Sequence, residues 1–349
     1  MNAMSLPDRL QLGRSLREDR DDLARRLTAE WFEDHPEFEP AHPPLARQRT
    51  REDFSFLVDF LAAAIEADSD AAFSDMVAWT ARVLEARSVP RAVLADSLRR
   101  IERALATQLP EESLAAVRPV LAAGQVVIAA PLAQTGESEL GIAASVYLQA
   151  VLQGDRRAAL SVATEALRDG VSVADVYLEI LQGALYEVGR RWEGNRITVA
   201  DEHLATVITQ WVLAQLYEKL EIPAAHRGRV VVTGIEGEQH QVGANMVADM
   251  LEADGWNVRF LGANVPRAAV LTSVEEHRAD VLGISTTMLL HLSQVEQLVR
   301  GARERFGSDL RIVVGGAAFR FNPQVARELG ADAYAPDLKS AVTTLRELG

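Results

Sequence analysis

Near residue 222 the hydrophobic period of the chain changes, and the two sides of that change call for different structures. Beyond Pro223, VVVTG (230–234), VRFLG (258–262), DVLGIS (280–285) and RIVVGG (311–316) are short β-branched runs ending at Gly or Ser, and a weaker fifth run spans Ala333 to Ala335. Amphipathic stretches of ten to twenty residues separate them. Continuous apolar strands alternating with helical stretches mark βα units, whose parallel sheet is covered on both faces. Residues 228–349 are therefore expected to form a Rossmann-like domain with a five-stranded parallel sheet.

Upstream the period is helical. From Ile142 to about Leu220, turns marked by Gly154, Gly170 and Gly194 to Asn195 divide the chain into four helices, a bundle over 141–222. In residues 1–140, Phe54, Leu57, Val58, Leu61 and Ile65 form one apolar stripe, and Val93, Leu94, Leu98, Ile101 and Leu105 another after Pro90. EDHPEFEPAHPPLARQ, with prolines at 36, 40, 43 and 44, reads as a loop between helices, and a second break falls at Leu109-Pro110. The small, polar AAPLAQTGESELG stretch (129–141) closes this all-helical N-terminal domain. The fold class is thus α plus α/β.

Composition excludes several functions. With 36 Lys plus Arg against 50 Asp plus Glu, the net charge of -14 repels polyanions, and no basic run with interleaved aromatics offsets it, so no direct nucleic-acid binding is expected. The absence of cysteine removes disulfides, thiolate metal sites, catalytic thiols and thioether-linked chromophores. A charged N-terminus without an apolar core segment, and no run of 18 apolar residues, predict a cytoplasmic protein that does not engage membranes. No residue set resembles a hydrolase, kinase or cyclase site, so no independent turnover is expected.

The first strand is followed by GIEGEQHQVGANMVADML, with Glu238-x-His240-x-x-Gly243. Ligands of doubly wound sheets bind at the carboxyl ends of the strands, so His240 lies where a ligand would be. Gly234, Gly237 and Gly243 lack the G-x-G-x-x-G spacing of a dinucleotide site. A carboxylate two residues before a histidine is instead the pairing that orients a metal-bound imidazole. Ser285-Thr286-Thr287 follows the third strand and Gly315-Gly316 the fourth, 42 residues from Gly243 to Ser285 and 28 from Thr287 to Gly315.

These three pieces, in order and on strand ends, resemble the cobalamin-binding domain family. The resemblance implies that His240 is the lower cobalt ligand in place of the cofactor's own dimethylbenzimidazole, whose tail threads a cleft that needs small residues at Ser285 and Gly315. It also makes the helical segment a cap over the corrin. There Trp192 is followed after nine residues by Glu202-His203, similar to the Trp-x9-Glu-His signature of adenosylcobalamin photoreceptors of the CarH and LitR kind. In that group the Trp packs on the adenosyl moiety and the Glu and His line the same pocket. Two departures stand out. The position after the Trp, a histidine that binds cobalt after photolysis in the best-known branch, is Glu193 here, leaving His203 as the other cap histidine. Residues 1–140 also lack the winged helix-turn-helix of those repressors.

WFEDHPEF and SVPRAVLADSLRRIERAL in residues 1–140 loosely resemble degraded-globin sensory domains, and the whole layout resembles the photocobilins, which pair B12 with a bilin. Such a bilin, biliverdin, would sit non-covalently, with Arg47, Arg49 and Arg51 placed to meet its propionates. His35 and His42, beside prolines, read as exposed polar residues rather than haem ligands. The expectation is a cobalamin-dependent sensor with a downstream signalling partner and a homodimeric form. A methyltransferase's corrinoid shuttle and a B12-binding regulator without photochemistry are the alternatives.

Overall fold

The computed structural model describes residues 4–36, 43–131 and 140–348. The chain divides into two compact units, Met1–Ala133 and Gln134–Gly349. The first consists of helices α1 Leu6–Glu18, α2 Arg20–Asp34, α3 Pro43–Glu66, α4 Asp70–Ala86, α5 Arg91–Gln108 and α6 Glu111–Ala129. Both apolar stripes lie inside it: Phe54, Val58, Leu61, Leu98 and Ile101 are each at most 1% exposed. Glu66, fully buried, accepts hydrogen bonds from Arg17, one of 2.9 Å, so the charge on α3 is satisfied from α1.

Two readings need correction in this unit. The proline-rich segment is shorter as a loop than expected, because α2 runs to Asp34 and α3 begins at Pro43. A proline in the first helical turn lacks only an N–H that the turn leaves unpaired, so Pro43 and Pro44 start a helix rather than stop one. His42 lies outside the described residues. The arginines at 47, 49 and 51 are all on α3, where a 100° step per residue puts Arg47 and Arg51 on one side and Arg49 on another. The three do not converge on one ligand, and Arg47 lies over the Phe32 ring, 4.6 Å from its centroid. α6 is long and apolar enough to cross a membrane, yet it buries Leu114, Val117 and Leu121 and packs on α4 and α5.

The second unit opens with α7 Ile142–Leu152, α8 Arg156–Arg168 and a helical rod made of α9 Val173–Asp175, a π-helical turn Val176–Gln182 and α10 Gly183–Glu193. α11 Val199–Tyr217 completes this cap. Gly154, Gly170 and Asn195 take positive φ at the three turns between its rods. Then come β1 Gly228–Gly234, α12 Val242–Ala253, β2 Trp256–Phe260, α13 Arg267–His277, β3 Val281–Ser285, α14 Leu292–Phe306, β4 Arg311–Gly315, α15 Gln324–Glu328, β5 Ala333–Ala335 and α16 Leu338–Leu348. The strands form one parallel sheet in the order β2-β1-β3-β4-β5. Val230, Val232, Val281 and Val313 pack with Ala244, Ala248 and Leu251 of α12 and with Leu345 of α16. Met246 and Leu338 join the cap's own core of Tyr147, Tyr177, Leu181 and Leu213, so cap and sheet are held by shared apolar burial.

Candidate functional site

The order of the sheet reverses at β1, and the helices after β1 and β3 leave to opposite faces. This switch point opens a crevice at the carboxyl ends of the strands, where doubly wound folds hold their ligands. Gly234, Ser285 and Gly315 lie side by side there, paired across β1, β3 and β4. The loop 235–241 leaves β1 at this edge and carries Glu238 and His240.

Glu238 is fully buried, whereas the His240 side chain is 57% exposed. One carboxylate oxygen of Glu238 accepts from His240 Nδ1 at 2.5 Å and from the His240 N–H at 3.0 Å. The other accepts from the N–H groups of Thr287 at 2.7 Å and Met288 at 3.0 Å, in the loop after β3. Burial pushes the Glu238 carboxyl up, but these hydrogen bonds, from the His240 ring and from backbone, outweigh it and hold the group at about 2. Its partner moves the opposite way: the hydrogen bond to Glu238 raises the pKa of His240 against the effect of burial, with smaller help from the charges of Glu238 and Glu202. With Nδ1 committed to Glu238, the free lone pair of the neutral ring is on Nε2, outside the loop.

The glycines and hydroxyls of the strand ends divide by role. A Cβ on Gly243, at the start of α12, would meet nothing within 4 Å, so the helix leaves open space beside His240. Gly316 has a φ of 96°, and a Cβ there would stand 2.3 Å from the carbonyl oxygen of Thr286. For Gly315 the nearest atom would be the Ala335 oxygen at 3.1 Å. Gly316 is thus required by the approach of the chain's own backbone, and at Gly315 a side chain would crowd the Ala335 oxygen, a reason for small residues beside the cleft that the sequence suggested. Thr287 contributes its backbone N–H to Glu238. The Thr286 hydroxyl beside it is buried with no hydrogen-bond partner, a feature the sequence did not signal.

On the cap, the α10–α11 turn sets three further residues. Arg196 N–H closes on the Arg191 carbonyl at 2.8 Å around Asn195 at φ 54°, and Thr198 caps α11 in a reciprocal pair with Asp201. Buried Glu187 accepts from Arg190 and Arg191 on the same rod. Trp192 is half-buried, and Glu193, after it, is buried in the cap. Glu202 accepts from the Thr206 hydroxyl at 3.2 Å and lies 2.5 Å from Nδ1 of the exposed His203. Among the described residues no group of three or more His, Cys, Asp or Glu side chains could hold a metal by itself, so a metal here would arrive with most of its own ligands. A tetrapyrrole-bound metal that takes one imidazole from the protein would fit these donors: one oriented His, and open space beside it at Gly243.

Two family models, each of a B12 binding domain, match residues 144–217 and 228–343. Dimethylamine corrinoid protein 3 of Methanosarcina mazei is 30% identical over 165 residues, 46% of this chain and 98% of that protein. The HTH-type transcriptional repressor CarH of Myxococcus xanthus is 31% identical over 157 residues, 45% of this chain and 52% of the repressor. In fold, the monomethylamine corrinoid protein of Methanosarcina barkeri aligns with a TM-score of 0.53 at 22% identity, over 58% of this chain and 96% of that one.

Proposed function

We propose, because this chain belongs to the family of B12-binding proteins, that its function is sensing: an adenosylcobalamin photoreceptor whose cap changes its fit to the sheet when the upper ligand is lost. The observation that carries this reading is the pairing of a carboxylate-oriented His240 on the sheet with the Trp192, Glu202 and His203 set on the cap. Cobalamin supplies a cobalt–carbon bond that light can break. The residues of the chain do the rest. His240 would hold the cobalt through Nε2, with Glu238 keeping its ring fixed. Gly243, Ser285, Thr287, Gly315 and Gly316 border the strand-end crevice for the nucleotide tail. Trp192 offers a rigid aromatic face to a nucleoside, with Glu202 and His203 as polar partners for its ribose. Stacking of this kind contributes about 1 kcal/mol beyond buried area. We further propose that the N-terminal helical unit transmits the signal, with non-covalent biliverdin as a second chromophore and a separate signalling protein as its target.

A second reading, a methyl-carrying corrinoid protein, is favoured by one observation: the match to the Methanosarcina mazei dimethylamine protein takes in nearly all of that protein. Ligand preference separates the two. Equilibrium binding of adenosylcobalamin and methylcobalamin should favour the adenosyl form, and Trp192→Ala should narrow that gap. Equal affinities in the unaltered protein, unchanged by the substitution, would return Trp192 to an ordinary bundle residue and favour the carrier.

A further inference from the structure

The loop that carries Glu238 and His240 is braced from both sides. β1 lies between β2 and β3. Toward β3, Glu238 accepts the N–H groups of Thr287 and Met288. Toward β2, the N–H of Gly237 donates to the Asn264 side-chain oxygen at 2.8 Å, across the gap to the loop after that strand. Asn264 makes this contact from a left-handed backbone conformation, φ 57°, and Gly237 itself has φ 89°. The ring of His291, after β3, packs where a Gly237 side chain would be, 2.9 Å from its Cβ position. Among non-glycine residues Asn enters the left-handed region most readily, so this position suits a short side chain whose oxygen can face Gly237.

We propose that Asn264 is a positioning residue for the axial histidine. It fixes Gly237, and with the Glu238 anchor on the opposite side it sets the direction in which His240 presents Nε2. Besides Glu238, the backbone contacts of Ile235 with Ser285 and of Glu238 with Ile235 hold the loop on its β3 side and within itself, and the Asn264 contact restrains Gly237 on the β2 side. Anchors drawn from the strands on either side of β1 restrict the loop before any ligand arrives, so less ordering is left to offset binding. The inference rests on the reading of His240 as the lower ligand.

The test uses the full chain loaded with cob(II)alamin. Protein made with 15N-histidine reports by electron paramagnetic resonance whether a protein imidazole is bound to cobalt. Asn264→Gly keeps the backbone conformation and removes the acceptor, whereas Asn264→Asp keeps an acceptor. Asn264→Gly should bind cobalamin about tenfold more weakly and lose part of the histidine nitrogen splitting at saturation, with the ligand-free melting temperature unchanged. Asn264→Asp should recover both. An Asn264→Gly protein with full affinity and full splitting would overturn the proposal, as would an Asn264→Asp protein as impaired as the glycine variant. Hydrogen exchange at the Gly237 amide of the unaltered protein tests the clamp however the variants fold: slowed exchange supports it, and exchange at the unprotected rate contradicts it. His240→Ala serves as the control on the premise. If that variant keeps the splitting, the ligand assignment falls and this inference with it; if only His240→Ala loses it, the clamp alone is wrong.

Discussion

Gly243 and Gly316 occupy the same crevice for opposite reasons, and substitution separates them. At Gly316, φ 96° and a Cβ position 2.3 Å from the Thr286 oxygen leave an alanine strained and clashing with backbone. Gly316→Ala is therefore expected to lower stability by about 1–3 kcal/mol in thermal melting without any cofactor. At Gly243 the space is open, so Gly243→Leu should leave melting unchanged and weaken cobalamin binding at least about tenfold, ~1.4 kcal/mol in a titration. Equal loss of stability in both variants would contradict this division. Glu238 gives a third test. Its carboxyl is held at about 2, below the ordinary 4.5, so its stabilising contribution is complete above pH 4.5 and is lost as pH falls toward 2. Glu238→Gln removes that charge and leaves one accepting oxygen where two are used, so an NH2 donor faces either His240 Nδ1 or the N–H groups of Thr287 and Met288. Its cobalamin affinity should drop on the order of 10- to 100-fold at neutral pH.

Among the elements, the cap rod with its π-helical turn is where the sequence was least legible. The period of the C-terminal strands announced a parallel sheet, and each of the five runs overlaps a strand, with ends that differ by no more than two residues, since β-branched residues ending at Gly have few other uses in alternation with amphipathic stretches. The Glu238-x-His240 spacing placed those side chains at a strand end, because a two-residue separation in a loop lets a carboxylate reach back to the ring. By contrast, the π-helical turn Val176–Gln182 has no composition signal, and it carries Tyr177, whose hydroxyl donates to buried Asp249 on α12 at 2.9 Å. Asn264 was invisible for a similar reason: its partner Gly237 is 27 residues away, and only the order of the strands brings the two loops together. Asp249 offers a test of the contact between cap and sheet. Burial raises its carboxyl to about 6 against the Tyr177 hydrogen bond, from an ordinary 3.8. A raised carboxyl favours folding below pH 4, and that advantage is lost as pH climbs through 6, up to about 3 kcal/mol. Asp249→Asn cannot ionise and keeps an oxygen for Tyr177. Its stability relative to the unaltered protein should therefore rise between pH 4 and pH 8 in denaturant unfolding, and a pH-independent difference would show that Asp249 does not titrate as buried.

At the scale of the whole molecule, a B12-binding unit of cap and sheet follows a helical unit with Phe54, Val58, Leu61 and Phe73 buried in its core. The proposed bilin is open to a direct trial: protein from a host making biliverdin should absorb in the far red, and a cobalamin-loaded protein colourless there after added biliverdin would leave cobalamin as its chromophore. The proposed photochemistry depends on light acting at a cobalt that His240 would hold. The measurement is the absorbance spectrum of the adenosylcobalamin-loaded protein, recorded in the dark and again after green illumination, with no methyl donor or methyltransferase present. The account predicts a change from the alkylcobalamin spectrum to one without the adenosyl ligand, with free adenosyl product in solution. A spectrum that stays the same under illumination that photolyses free adenosylcobalamin would contradict it.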